Sequence, residues 1–186
     1  MSAEQIQAAS TGHRANIKRL GEENVLLLAG PFGEPRLEES HRGIFIFDVE
    51  STEEALALTA SDPAVQVGAF SMSSFPWHSE ASLRELHDAE LGRQQSGDAF
   101  VGRAYVMGIG SPTSLAEEAI NALREADKLV FAGDFGGERD GELLFVLTTD
   151  SVEEAREWLI NMPGGADVDW NLSAWYATDL LMTLIE

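Results

Sequence analysis

Short apolar runs alternate along this chain with amphipathic, acid-rich stretches. The runs at 24–30, 43–49, 128–133 and 142–149 are rich in Leu, Ile, Val and Phe, the pattern of buried strands. Helix starts are marked by Ser followed three residues later by Gln or Glu, the capping-box spacing, at Ser2/Gln5, Ser51/Glu54, Ser114/Glu117 and Ser151/Glu154. Closing strands are expected over 65–76, leading into Trp77, and over 168–177, which holds Trp170, Trp175 and Tyr176. A further strand is expected at 103–109. Each half of the chain therefore reads helix, strand, strand, helix, strand. The second half adds an opening strand, which makes it βαββαβ, a ferredoxin-like order with two helices on one face of an antiparallel sheet.

The halves also share strings. Leu28-Ala29-Gly30-Pro31-Phe32 answers to Phe131-Ala132-Gly133-Asp134-Phe135, and Ser51-Thr52-Glu53-Glu54-Ala55 to Ser151-Val152-Glu153-Glu154-Ala155. Pro63 answers to Pro163, and the offset is 103 at Gly30/Gly133 and 100 at Ser51/Ser151. A slip of this size belongs in a hairpin connection, where chain length varies most freely. The pattern predicts a tandem duplication: copy one at 1–78, a linker at 79–102 with a short surface helix at 79–91, and copy two at 103–186. Copy one has no opening strand of its own. An upstream start, the segment 180–185 or a partner chain at the sheet edge each remains open as its replacement. A sheet with one helix-covered face needs cover on the other, and two such sheets can cover each other.

Composition narrows the function. Twelve Lys plus Arg against 32 Asp plus Glu give a net charge of −20, which argues against nucleic acid and anionic membrane surfaces as partners. With no Cys, disulfides and thiol chemistry are excluded. The longest apolar runs are too short to span a bilayer, and no signal peptide is visible, so a cytoplasmic location is expected. Metal-ligand spacing, a nucleophile elbow and a P-loop are all missing, so neither a metal nor a cofactor is expected. Gly108-Ile109-Gly110, leading into Pro112, reads as a turn rather than a dinucleotide loop.

The candidate chemistry lies where the halves differ. His13 falls on the face of the first helix that carries Ile6, Ala9, Ile17 and Leu20, and its counterpart is Ala116. Asp62 precedes Pro63, whereas Met162 precedes Pro163. A carboxylate beside a buried imidazole fixes its tautomer and raises its basicity, as general acid–base catalysis requires. Spacing leaves open a turn aspartate bonded to local backbone and a core histidine satisfied by a carbonyl. His41 and His87 read as solvent-facing; His78 reads as a surface residue or the rim of a pocket. Pro31, Phe32 and Trp77 are the candidate ligand-pocket residues.

Residues 3–78 resemble the YciI-like (YCII-related) family. The likeness rests on a helix with an inward His, the Leu-Leu-Leu-Ala-Gly-Pro-Phe and Gly-Ile-Phe-Ile-Phe strands, the Ser-x-Glu-Glu-Ala helix, Asp-Pro, and a closing Pro-Trp. Residues 103–177 look like a diverged member. The resemblance implies the dimeric α/β-barrel fold, here two ferredoxin-like units packed sheet to sheet within one chain. It also implies a His–Asp active site, falling on His13 and Asp62, and a small organic ligand, often aromatic or chlorinated. Proton transfer of the elimination or isomerisation type is the expected activity. A non-catalytic metabolite-binding or protein-interaction module is the alternative, and a homodimer is left open.

Overall fold

Helix α1 (Ala3–Glu22) starts as its sequence dictates: Ser2 accepts from the Gln5 amide, and the Gln5 side chain accepts from the Ser2 amide. In this computed structural model, residues 2–34, 36, 39–111 and 114–185 are described. Strands β1 (Leu26–Pro31) and β2 (Gly43–Phe47) follow and pair with each other. Helix α2 (Thr52–Thr59) is capped by Ser51, and a short helix α3 (Pro63–Gln66) by Asp62. Then come β3 (Trp77–His78), α4 (Leu83–Gln95), β4 (Gly102–Gly110), α5 (Ser114–Glu125), β5 (Leu129–Phe135), β6 (Leu143–Leu147), α6 (Val152–Asn161) and β7 (Trp170–Thr178). Ser151 caps α6 as predicted, and the Ser114/Glu117 box lies outside the described side chains. The architecture is mixed α and β with antiparallel sheets. The larger sheet has the order β3-β5-β6-β4-β7.

The chain divides into two units. The first comprises Met1–Ala29 and Phe45–Pro76, and the second Gly30–Ile44 and Trp77–Glu186. In the second, α5 and α6 supply Leu123 and Leu159 to a core completed by Val106, Phe145 and Trp170 from the sheet. β4 lies between β6 and β7, its Val106 opposite Leu147 on one side and Ala174 on the other.

Backbone details recur at the offsets noted in the sequence. Asn24 and Asp127 both adopt positive φ, 59° and 54°, a conformation Asn and Asp tolerate better than other side chains. Val25 donates to the Leu20 carbonyl at 3.2 Å, and Lys128 to that of Leu123 at 3.0 Å. Asp48 donates to Val25 as Thr148 donates to Lys128, and Phe32 to Arg42 as Phe135 to Glu142. Within the second unit two contacts join segments distant in the chain. Trp77 pairs with Phe135, and Phe32 bridges to Trp175. Only glycine fits where these indoles cross. A Cβ on Gly30 would overlap the Tyr176 carbonyl and lie 2.5 Å from the Trp175 indole nitrogen. A Cβ on Gly133 would overlap the His78 carbonyl and lie 2.5 Å from the Trp77 ring.

Several expectations need correction. No strand covers 65–76. Pro63 at the first helical position favours a turn of helix, Ala69 and Phe70 both donate to the Ala64 carbonyl, and Gly68 takes φ 72°. The strand shrinks to Trp77–His78. Gly108-Ile109-Gly110 is strand, not turn: the missing side chain at Gly108 leaves room for Phe145 and Leu172. Pro112 lies outside the described residues. The segment Asp179–Ile185 is a 3-10 helix and supplies no strand. Ile6 is exposed, because residues 2–8 of α1 are all solvent-facing and packing begins at Ala9. The helix expected within 79–91 forms, but its His87 is buried alongside Leu83 and Leu86.

Two outcomes follow for stability. Gly133→Ala should cost about 1–3 kcal/mol through overpacking. Gly92→Ala, in the exposed middle of α4 with nothing near its Cβ, should gain about 0.5–1 kcal/mol. Urea unfolding checks both, and equal stabilities would refute the tight crossing. Tyr105 is buried with its hydroxyl donating to the Thr178 carbonyl, and burial pushes its phenol from 10.0 up to about 12. The unfolded phenol ionises first, so this contribution to stability is intact below pH 10 and lost as pH rises towards 12. Absorbance titration of the phenolate, alongside an alkaline melt, reads it directly.

Candidate functional site

The candidate site is built on α1 and on the turn between α2 and α3, all within the first unit. Ala9, His13, Asn16 and Leu20 share one face of α1 at helical spacing, and Ala9, Asn16 and Leu20 are buried. Opposite them α3 packs so closely that a Cβ on Gly12 would sit 2.7 Å from Pro63. That approach brings Asp62, the cap of α3, to the helix face.

His13 Nδ1 lies 2.8 Å from Asp62 Oδ2. Asp62 is 1% exposed and His13 24% exposed, so the acid is sealed while part of the ring meets solvent. Two further donors reach the carboxylate: Asn16 Nδ2 at 3.2 Å on Oδ2, and the Ala64 amide at 2.8 Å on Oδ1. A buried carboxylate is tolerated only when donors replace its water, and here three do. With Oδ2 accepting, the proton of a neutral ring sits on Nδ1 and the lone pair on Nε2. Phe45 stacks on the ring at 5.9 Å between centroids, and Phe70 meets it edge-on at 5.1 Å.

His13 and Asp62 are thus brought together. Both readings of Asp62 apply at once: it caps α3 through Ala64 and it holds the imidazole. The other expected pocket residues belong to the second unit. Pro31 is exposed at the end of β1, Phe32 bridges Trp175, and Trp77 pairs with Phe135. His41 and His78 are exposed. Sequence reasoning missed Asn16. Its signal was available: a carboxamide three residues after His13 on the inward helix face, where the second half has Ala119.

Two hollows are present elsewhere. One, of about 480 Å³, is lined by residues including Arg103, Thr149, Glu154 and Trp158. The other, of about 690 Å³, is an open depression along Ala3, Glu4, Gln7, Ala8 and Thr11. His13 lines neither. Among the described residues no cluster of three or more His, Asp or Glu is arranged to hold a metal ion, and no helix is long and apolar enough to cross a membrane.

Comparison with known families adds one finding. Residues 1–77 match the model of the YCII-related domain. The matched stretch contains His13, Asp62, Asn16, Ala64, Phe45 and Phe70. No curated protein and no solved structure matches the chain.

The geometry makes Asp62 the hub of the site. Asp62→Ala orphans the Asn16 amide, the Ala64 amide and the imidazole N–H, and should cost about 2–3 kcal/mol. His13→Ala leaves two of the three donors in place and should cost about 1 kcal/mol. Urea unfolding of both variants measures the difference. Equal costs would mean that the carboxylate is not the centre of the network.

Proposed function

We propose that the YCII-related segment transfers protons on a small organic compound, with His13 as the base or acid and Asp62 as its orienting partner. The observation that carries this reading is the 2.8 Å contact between a sealed carboxylate and a ring that solvent still reaches. In an elimination, Nε2 takes a proton from carbon, the C–H electron pair forms the new double bond, and the leaving group departs with its own bonding pair. In an isomerisation, the C–H pair forms the new double bond, and the pair of the original double bond moves to its far carbon, which takes the proton back from the imidazolium. Asp62 stabilises the imidazolium through Nδ1–H in both, and neither step needs a metal or a redox cofactor.

We further propose that the chain is a tandem duplication in which two ferredoxin-like copies, 1–78 and 103–186, form one intrachain α/β barrel. The paired positive-φ residues, the matched backbone hydrogen bonds and the exchanged Trp77–Phe135 and Phe32–Trp175 pairings support this reading. The second copy is then a structural partner: Ala116 and Ala119 are buried in its core, with Met162 packed against it. The segment 79–102 carries more than a linker's role, because Arg93 of α4 holds Asp179 at 2.7 Å and Glu90 accepts from Thr178 at 2.7 Å.

A non-catalytic metabolite-binding or protein-interaction module of the same fold is the second reading. It is favoured by the position of the hollows, neither of which His13 lines.

Small carbon acids screened by proton NMR in deuterated buffer, for exchange or loss of a leaving group, separate the two readings. Turnover of any hit should fall about 100- to 10,000-fold in His13→Ala, with the circular dichroism spectrum unchanged. Turnover that survives the substitution overturns the role of His13. Compounds that bind unaltered, with equal affinity for wild type and His13→Ala, establish the module instead.

A further inference from the structure

The polar network does not stop at Asp62. Asn16 Oδ1 accepts from Arg19 Nη2 at 2.8 Å and lies 3.2 Å from Ser61 Oγ, while Arg19 Nη2 also donates to Ser61 Oγ at 2.9 Å. The other guanidinium nitrogen, Nη1, is held by both carboxylate oxygens of Glu23, at 2.8 and 2.7 Å. A guanidinium has donors and no acceptor. The oxygen of the Asn16 amide must therefore face Arg19, which turns its NH2 group towards Asp62. Direction runs one way through the chain: Arg19 donates to Asn16, and Asn16 donates to Asp62, which is left as an acceptor for His13 Nδ1–H.

The second half of the molecule provides an internal comparison. At the offset of 103 the residues matching His13, Asn16 and Arg19 are Ala116, Ala119 and Ala122, and Met162 stands opposite Asp62. The register is sound, because Leu20 and Leu123 are both fully buried and the turns after them share their hydrogen bonds. All four polar groups are thus replaced by small or apolar ones, and the helix still packs with Ala116 and Ala119 in its core. Packing that face needs neither Asn16 nor Arg19, just as it needs no imidazole.

We propose that Asn16, oriented by Arg19, is a positioning residue that holds Asp62 as the acceptor of Nδ1–H and so keeps the Nε2 lone pair of His13 available to substrate. This deepens the acid–base reading above and rests on it. Asn16 pins Oδ2 at the point shared with His13, while the Ala64 amide pins Oδ1. Without Asn16 only the ring itself holds Oδ2, so nothing independent of the imidazole keeps the carboxylate from rotating away from it.

The test is the tautomer of His13 in the full-length protein, read from long-range proton–nitrogen spectra with ¹⁵N-labelled histidine at a pH where the ring is neutral. His13→Gln identifies the signals. Wild type should show one tautomer, protonated on Nδ1, with widely separated nitrogen shifts. Asn16→Leu should draw the two shifts together as the second tautomer becomes populated. Arg19→Met should do the same to a smaller degree, and Arg19→Lys, which keeps a donor, should restore the wild-type spectrum. Arg19 is 44% exposed, so its variants remain informative if Asn16→Leu fails to fold. A wild-type tautomer in a folded Asn16→Leu, or in Arg19→Met where Asn16→Leu does not fold, overturns the positioning role and leaves the His13–Asp62 pair standing. A wild-type ring protonated on Nε2 overturns the acid–base reading itself.

Discussion

A carboxylate removed from water must find its solvation inside the protein. Asp62 meets this constraint with three donors drawn from two sources, the backbone of the short helix it caps and the side chains of α1. Two of these bonds, from His13 and Asn16, tie the start of α3 to α1 and align the imidazole, while the third, from the Ala64 amide, caps α3 itself. Stability and site geometry are therefore inseparable here. Each group that satisfies the carboxylate also fixes the ring, and the close approach of Gly12 to Pro63 is what lets them meet.

A second constraint is steric and lies in the other unit. Two indoles cross strands at two glycines, Trp175 at Gly30 and Trp77 at Gly133, with matching carbonyls alongside. The absence of a Cβ at those positions is what allows the strands to approach. Asn24 and Asp127 likewise share a positive φ and matching backbone hydrogen bonds around the turns they form. The side chains diverge where the backbone does not. One half fills a helix face with imidazole, carboxamide and guanidinium, and the other fills it with alanine.

Much of this was legible along the chain. Four apolar runs became β1, β2, β5 and β6 within a few residues, because buried strands need sustained apolar, often β-branched or aromatic, stretches. The serine caps at α1, α2 and α6 formed because that signal is local and needs no tertiary partner. No strand forms over 65–76 because Asp62-Pro63 is itself a helix-start signal, which outweighs the weakly apolar residues that follow. His87 is buried rather than solvent-facing because its burial depends on what packs over α4, which spacing along one helix does not reveal.

By itself the sequence determined most of the elements, the strings that recur at offsets of 103 and 100, and the two positions where His13 and Asp62 stand against Ala116 and Met162. Those are properties of neighbours in the chain and of self-similarity, and both are written in one dimension. The tertiary structure alone decided that His13 and Asp62, 49 residues apart, share a 2.8 Å hydrogen bond, and that Asn16 and Arg19 stand behind them. A hydrogen bond tolerates errors of only a few tenths of an ångström. Distances of that kind are set by how closely a helix and a turn can pack, which here depends on a glycine facing a proline.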